Sequence, residues 1–246
     1  MHAKQKLGGV AALIAAATLV VGIGMFATLL SDLTTGDPTP SESAAFVADH
    51  YGTMYVWNLI TMVVFAVALV PLGLALYHRL KAGSPALAET GSVFALIWAA
   101  LLFGAGLVTL VDLGTVAGLA DSDPAGAASA WIALESVEKG LGGTIEIVGG
   151  LWVLLISLAA LRAGVFPKAL NYVGVFISVG AFATIAPAFE LVGVVFGLGL
   201  IVWLGWLGVV MYRGSPRETM PPGDRSEADA IGDRLTDSPS DRRTFA

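Results

Sequence analysis

Only 13% of the 246 residues are charged, about half the share found in an average soluble domain. That shortage excludes an ordinary water-soluble globule. Cysteine is absent altogether, which removes disulfide frameworks, thiolate metal sites, iron–sulfur clusters and thioether-linked haem. Histidine is nearly absent as well. His2 lies in the N-terminal tail, while His50 and His78 flank the second long apolar run at its opposite ends. No pair can therefore clamp a haem, and neither a His-rich zinc hydrolase nor a Ser–His protease within the membrane has its histidines. There is no P-loop, and no GxGxxG follows a strand. A net charge of −6 without a concentrated basic face argues against nucleic acid as a partner. The expected class is non-enzymatic, and no cofactor or metal is implied.

What fills the chain instead is apolar: 56% hydrophobic residues and a mean hydropathy of +0.80. The lipid bilayer is the expected solvent. A span needs about 20 mostly apolar residues, since each helical residue rises about 1.5 Å across about 30 Å of hydrocarbon. Six runs qualify: Gly8 to Leu30, Met54 to Tyr77, Val93 to Leu119, Leu141 to Leu161, Ala169 to Ala186 and Leu191 to Tyr212. All are too long for the strands of a membrane barrel. The fold class expected is all-α, a polytopic membrane bundle of six transmembrane helices. Residues 1–214 form that domain.

Lys and Arg near span ends stay on the cytoplasmic side. Lys4, Lys6, Arg79, Lys81, Arg162, Lys168 and Arg213 all fall on one side if the chain crosses six times, and Lys139 alone falls on the other. Both termini are thus expected in the cytoplasm of a cell bearing this chain in its plasma membrane. Lys4 and Lys6 ahead of an apolar run resemble the start of a secretory signal, yet the run is longer than a signal core, and retention is expected. Residues 215–246 hold five Arg and seven Asp or Glu with only scattered apolar residues, the composition of a disordered cytoplasmic tail.

Small residues permit close helix contact in lipid. Gly114 with Gly118 and Gly193 with Gly197 form GxxxG pairs, and Gly142, Gly143, Gly149 and Gly150 suggest a bare strip on span four. Packing within the chain is the expected use, with a homo-oligomer or a larger membrane complex as the alternative.

An ionisable residue at membrane depth is costly and marks a functional site by default. Asp112 interrupts span three, Glu146 lies near the start of span four, Glu190 opens span six after Pro187, and Asn58 sits one turn into span two. All share the outer half of the bilayer. Residues 127–163 contain no break before Gly164 other than glycines, so one helix of about 35 residues is expected there. It places Glu135, Glu138, Lys139, Gly142 and Glu146 on one face, with Glu135 and Lys139 in the favourable i, i+4 order for an ion pair. These residues point to an outward-facing polar pocket walled by spans two, three, four and six. Its partner would be a small polar ligand, a cation or a lipid headgroup, and the protein a binding, sensing or accessory subunit. A small transporter or exchanger coupled through Asp112 and Glu146 is the second reading, and an intramembrane enzyme of unfamiliar type the third. The inner halves of the spans carry almost no charge, which disfavours a continuous ion path.

The stretch from span four to span six also has a familiar look. Glu135, Glu138-Lys139-Gly140-Leu141-Gly142-Gly143, Glu146 and Gly149-Gly150-Leu151-Trp152 precede Ala160-Leu161-Arg162-Ala163-Gly164, Pro167 and Leu170-Asn171-Tyr172 with Gly174. Pro187, Phe196-Gly197-Leu198-Gly199 and Trp203 follow. Over about residues 128–212 this resembles the DUF4386 family of multi-pass prokaryotic membrane proteins. The resemblance implies a helical integral membrane protein without an assigned activity, and it carries no catalytic residues. Independently of it, Arg162 suits a helix C-terminus, Gly164 can end that helix and Pro167 can open the next.

Overall fold

The computed structural model describes residues 2–33, 35–143, 146–185 and 192–214. Among these residues there are helices and no strands: α1 (His2–Met25), α2 (Pro40–Asp49), α3 (Tyr51–Asn58), α4 (Phe65–Leu80), α5 (Pro85–Leu119), α6 (Pro124–Glu138), α7 (Ile147–Ala163), α8 (Lys168–Ala183) and α9 (Val192–Arg213). Short π-helical segments, Phe26–Leu30, Leu59–Val64 and Lys139–Gly143, extend α1, join α3 to α4 and follow α6. The protein is a helical membrane bundle. Lys4–Leu33, Tyr51–Leu80, Pro85–Leu119 and Val192–Arg213 are long and apolar enough to cross a bilayer, whereas α7 and α8 are shorter apolar helices.

Six helices close into a ring in which neighbours run antiparallel. Gly8 of α1 faces Ala75 of α4, Gly73 of α4 faces Ala95 of α5, and Gly91 of α5 faces Ile156 of α7. Gly150 of α7 then meets Ala181 of α8, Gly199 of α9 meets Ile177 of α8, and Gly208 of α9 returns to Leu13 of α1. Small residues thus mark each seam, as expected where lipid gives no hydrophobic drive between helices. Trp98, Trp152 and Trp203 fill the middle, with centroids 5.6 Å apart along the series. The first pair is tilted and the second edge-to-face, and edge-to-face pairs add to packing beyond their buried area.

The two ends of the ring differ. One end gathers the basic helix ends, from Lys4 and Arg79 to Arg162 and Arg213. There Gly164 takes a left-handed conformation (φ 63°) that ends α7, and the Val165 amide bonds the Ala160 carbonyl beyond it, as the Arg162 to Pro167 stretch suggests. The opposite end is capped by α2 and α6, which pack on each other and on the last turns of α5 through Val47, Leu113, Val116, Ala127 and Leu134. Thr39 and Glu42 open α2 with a reciprocal capping box. Asp123 opens α6 by accepting from the Gly126 amide at 3.0 Å.

Two expectations are corrected. The single helix over residues 127–163 is broken: α6 ends at Glu138, a π turn follows through Gly140 and Gly142, and Glu146 is not helical (φ −85°, ψ 28°). Three glycines in four positions make that stretch a poor helix former. In place of continuity, the Thr184 hydroxyl from the end of α8 accepts the Glu146 amide at 3.1 Å and caps the start of α7 from outside. Gly114 and Gly118 form no seam either, since both are exposed. Gly149 and Gly150 face different neighbours, Trp98 and Ala181. The expectation for residues 215–246 lies outside the described residues.

Candidate functional site

Among the cavities at the capped end, two that share Glu138 adjoin each other. The larger, of about 350 Å3, enters the bundle between α1, the α3–α4 rod, α5 and α9, with Leu19, Phe65, Trp98 and Leu200 among its apolar walls. Glu138 and Glu146 are its carboxylates. The smaller, of about 280 Å3, is lined by Asn58, Thr109, Trp131, Glu135, Glu138 and Lys139, among others. Phe26, Trp57 and Glu138 line both. Trp57 is fixed at this junction because its indole N–H donates to the Gly22 carbonyl of α1 at 2.9 Å. Phe26 lies against it with ring centroids 6.0 Å apart.

All three π segments contribute to these walls, through Phe26 and Ala27, Thr61 and Met62, and Lys139. Such segments insert one residue into the α-helical repeat and often occur at functional sites. Here they turn side chains toward the cavities from three elements at once.

The polar groups divide into satisfied and unsatisfied ones. Lys139 pairs with Glu135 at 3.0 Å. Asn58 donates to the Met54 carbonyl one turn back at 3.1 Å, which leaves its Oδ1 without a partner. Thr109 Oγ1 and Glu146 Oε2 are also buried and unpartnered. Asn58 is 1% exposed and Thr109 2%. Elsewhere in the bundle Thr18, Thr61 and Ser178 return their hydroxyls to the carbonyls of their own helices, the usual solution in lipid. A buried polar atom left open costs about 1–3 kcal/mol; Ser157 Oγ, Asn171 Nδ2 and Trp203 Nε1 bear that cost away from the cavities, and Asn58 Oδ1 and Thr109 Oγ1 bear it on residues that line the smaller one. α6 lies outside the spanning helices, and there burial pushes the Glu138 carboxyl above the usual carboxylate range. The Glu135 charge adds to that rise and Lys139 opposes it.

Of the residues singled out in the sequence, Asn58, Glu135, Glu138, Lys139 and Glu146 therefore meet at this pair of cavities. Asp112 does not line either one; it stands half-buried one turn beyond Thr109 on α5. Glu190 lies outside the described residues. Thr109, Trp57, Phe26 and Trp131 also belong to the site. The spacing of Thr109 three residues before Asp112 was a usable signal for it. For Phe26 nothing polar marks span one as a wall.

The family described as a domain of unknown function, DUF4386, matches residues 7–210. The chain belongs to the DUF4386 family. No curated protein and no solved structure matches it. Membership covers the whole ring and both cavities of this DUF4386 protein, so the site lies inside the domain that defines the family. It brings no catalytic residues with it, and the chemistry rests on the side chains themselves. Among the described residues, no group of three His, Cys, Asp or Glu is arranged to hold a metal ion.

Proposed function

We propose that this DUF4386 protein is a six-span, multi-pass protein of the cell membrane, with both termini in the cytoplasm and the α2–α6 end outside. It acts as a binding, sensing or accessory subunit rather than as an enzyme. Its ligand enters the joined cavities from the outer side. Seven of the eight Lys and Arg residues before position 215 support this orientation, because they gather at the end away from the cavities. The observation that carries the reading is the pair of buried, unpartnered acceptors, Asn58 Oδ1 and Thr109 Oγ1, on the wall that also holds Glu135, Glu138 and Lys139. Ser157 and Asn171 are left open as well but line neither cavity, so it is the place on a cavity wall that marks Asn58 and Thr109. An exchanger coupled through Asp112 and Glu146 has less support, because only Glu146 reaches a cavity.

The absence of cysteine makes the test clean. In intact cells, Glu135→Cys should react with a membrane-impermeant maleimide added outside, while Ala82→Cys, exposed in the turn after α4, should react only after the membrane is opened. Labelling of Ala82→Cys from outside, with Glu135→Cys protected, would overturn the orientation and with it the outward-facing site.

A further inference from the structure

The charge balance of the joined cavities points to a particular occupant. Glu135 is neutralised by Lys139. Glu138 and Glu146 are left facing the larger cavity with no described cation in ion-pair reach. The neighbouring residues whose placement is not described, 144–145 and 186–191, contain no Lys, Arg or His. The cluster therefore sets three carboxyl groups, Glu135, Glu138 and Glu146, against one described cation, Lys139, which Glu135 already holds. A buried carboxylate without a partner is costly, and an incoming cation removes that cost.

The walls say which kind of cation. Beyond the two glutamates and the Thr61 hydroxyl, which donates to the Trp57 carbonyl, the larger cavity is apolar, with Phe26, Trp57, Phe65 and Trp98 among its walls. A hydrated metal ion gains nothing from such walls, and the described residues offer it no three-ligand cluster. An organic ammonium gains twice, from the carboxylates for its charge and from the apolar and aromatic walls for its body. In the adjoining smaller cavity, Asn58 Oδ1 and Thr109 Oγ1 add two unpartnered acceptors, each on a residue more than nine-tenths buried. They suit the N–H donors of a primary or secondary ammonium. A volume of about 350 Å3 lies in the range of small-molecule sites.

We infer that the joined cavities bind an amphipathic ammonium ion: the charged head sits at the junction beside Glu138, Asn58 and Thr109, and the apolar body lies along Phe65, Trp98 and Leu200. This rests on the outward-facing site proposed above. The same chemistry is offered by a free hydrophobic amine and by the ethanolamine head of a membrane lipid. An anionic or neutral amphiphile of the same size lacks the charge that the site needs.

The test uses the full-length chain in maltoside micelles and a matched series of probes, octylammonium, octanol and octanoate, followed by calorimetry. Octylammonium should bind saturably at one per chain. Octanol should bind at least tenfold more weakly, and octanoate should show no saturable binding. Glu138→Gln should weaken octylammonium at least tenfold while Glu138→Asp retains it, and Asp121→Asn, an exposed carboxylate away from the cavities, should change nothing. Thermal unfolding midpoints within a few degrees of the parent would establish that each variant is folded. Added phosphatidylethanolamine that displaces octylammonium identifies the lipid head as the source. Octylammonium binding that persists in its presence identifies a free amine. Equal binding of octanol or octanoate, an unchanged affinity in folded Glu138→Gln, or no saturable binding to folded parent protein would overturn the inference. External labelling of Glu135→Cys would be unaffected by that outcome, so failure of the cation does not count against the outward-facing site.

Discussion

Glu138 is the side chain at which both cavities and both kinds of wall meet, and its chemistry sets how the site responds to pH. Its carboxyl lies above the free value of 4.5, first because burial disfavours the charge and then because Glu135 is close; Lys139 pulls the other way. Glu146, which lines the larger cavity with it, is the remaining titratable group facing this position. A raised value in the folded state means that the proton stays on past pH 4.5, so stability is fully present below that pH and declines as pH rises through the raised value. Cation binding has the opposite sign, because only the carboxylate attracts an ammonium. Octylammonium affinity should therefore increase as pH climbs from 4.5 through the raised value, with proton release on binding below it. Calorimetry in two buffers of different ionisation heat measures that release. Glu138→Gln should flatten the part of the profile that lies above the ordinary carboxylate range; an unchanged profile in this variant would assign the titration to another group. Part of this site was legible from spacing alone. The i, i+4 order of Glu135 and Lys139 gives their ion pair directly. Phe26 and Trp57 were not legible as walls, because an aromatic residue in an apolar run looks the same whether it faces lipid or a cavity.

At the scale of helices, the seams show why a glycine motif does not by itself locate a contact. Gly114 and Gly118 have the spacing of a packing pair but lie on the exposed face of α5, and nothing stands within 4 Å of where a side chain on Gly118 would begin. Helix α5 has 35 residues and is about 52 Å long, so its last turns project beyond the hydrocarbon toward α2 and α6. A span-length count could not reveal that overhang. The close contact is instead between α1 and α9. A Cβ at Gly9 would lie 2.8 Å from the Tyr212 amide nitrogen and 3.0 Å from the Gly208 carbonyl oxygen, both backbone atoms that cannot rotate away. Gln5 reinforces this seam by donating to the Met211 carbonyl at 3.0 Å. Gly9→Val should therefore separate α1 from α9 and cost about 1–3 kcal/mol or more by overpacking, seen as a lower thermal midpoint in detergent. Gly118→Ala should leave the midpoint unchanged or raise it slightly, since alanine is the better helix former by about 0.5–1 kcal/mol. Equal effects of the two substitutions would mean that the α1–α9 seam does not hold the ring closed.

For the molecule as a whole, the open quantity is how many of the six ring helices cross the bilayer, and it turns on α7 and α8. They have 17 and 16 residues, about 26 and 24 Å, against about 30 Å of hydrocarbon. Length alone would leave them short. The turn between them bears on the energetics, because Arg162 and Lys168 flank it, both exposed. Stopping the hairpin inside the lipid would hold two cations at depth, at about 2.5–3.5 kcal/mol each near the centre. Local thinning around a short helix costs only fractions of a kcal/mol per Å, so a full crossing with a few Å of mismatch is the cheaper solution. The ring gives the same answer from packing: α7 and α8 run antiparallel and take their places between α5 and α9, with Gly91 against Ile156 and Gly174 beside Ser157 and Trp203 toward the basic end. Gly164→Cys, at the tip of the turn, should consequently be labelled by an impermeant maleimide only from the cytoplasmic side of inverted vesicles, together with Ala82→Cys and opposite to Glu135→Cys. Glycine is the residue suited to the left-handed backbone at this position (φ 63°), so Ala163→Cys serves as the unstrained companion at the end of α7. Protection of both cysteines from either side would place the turn within the lipid and reduce the spans to four.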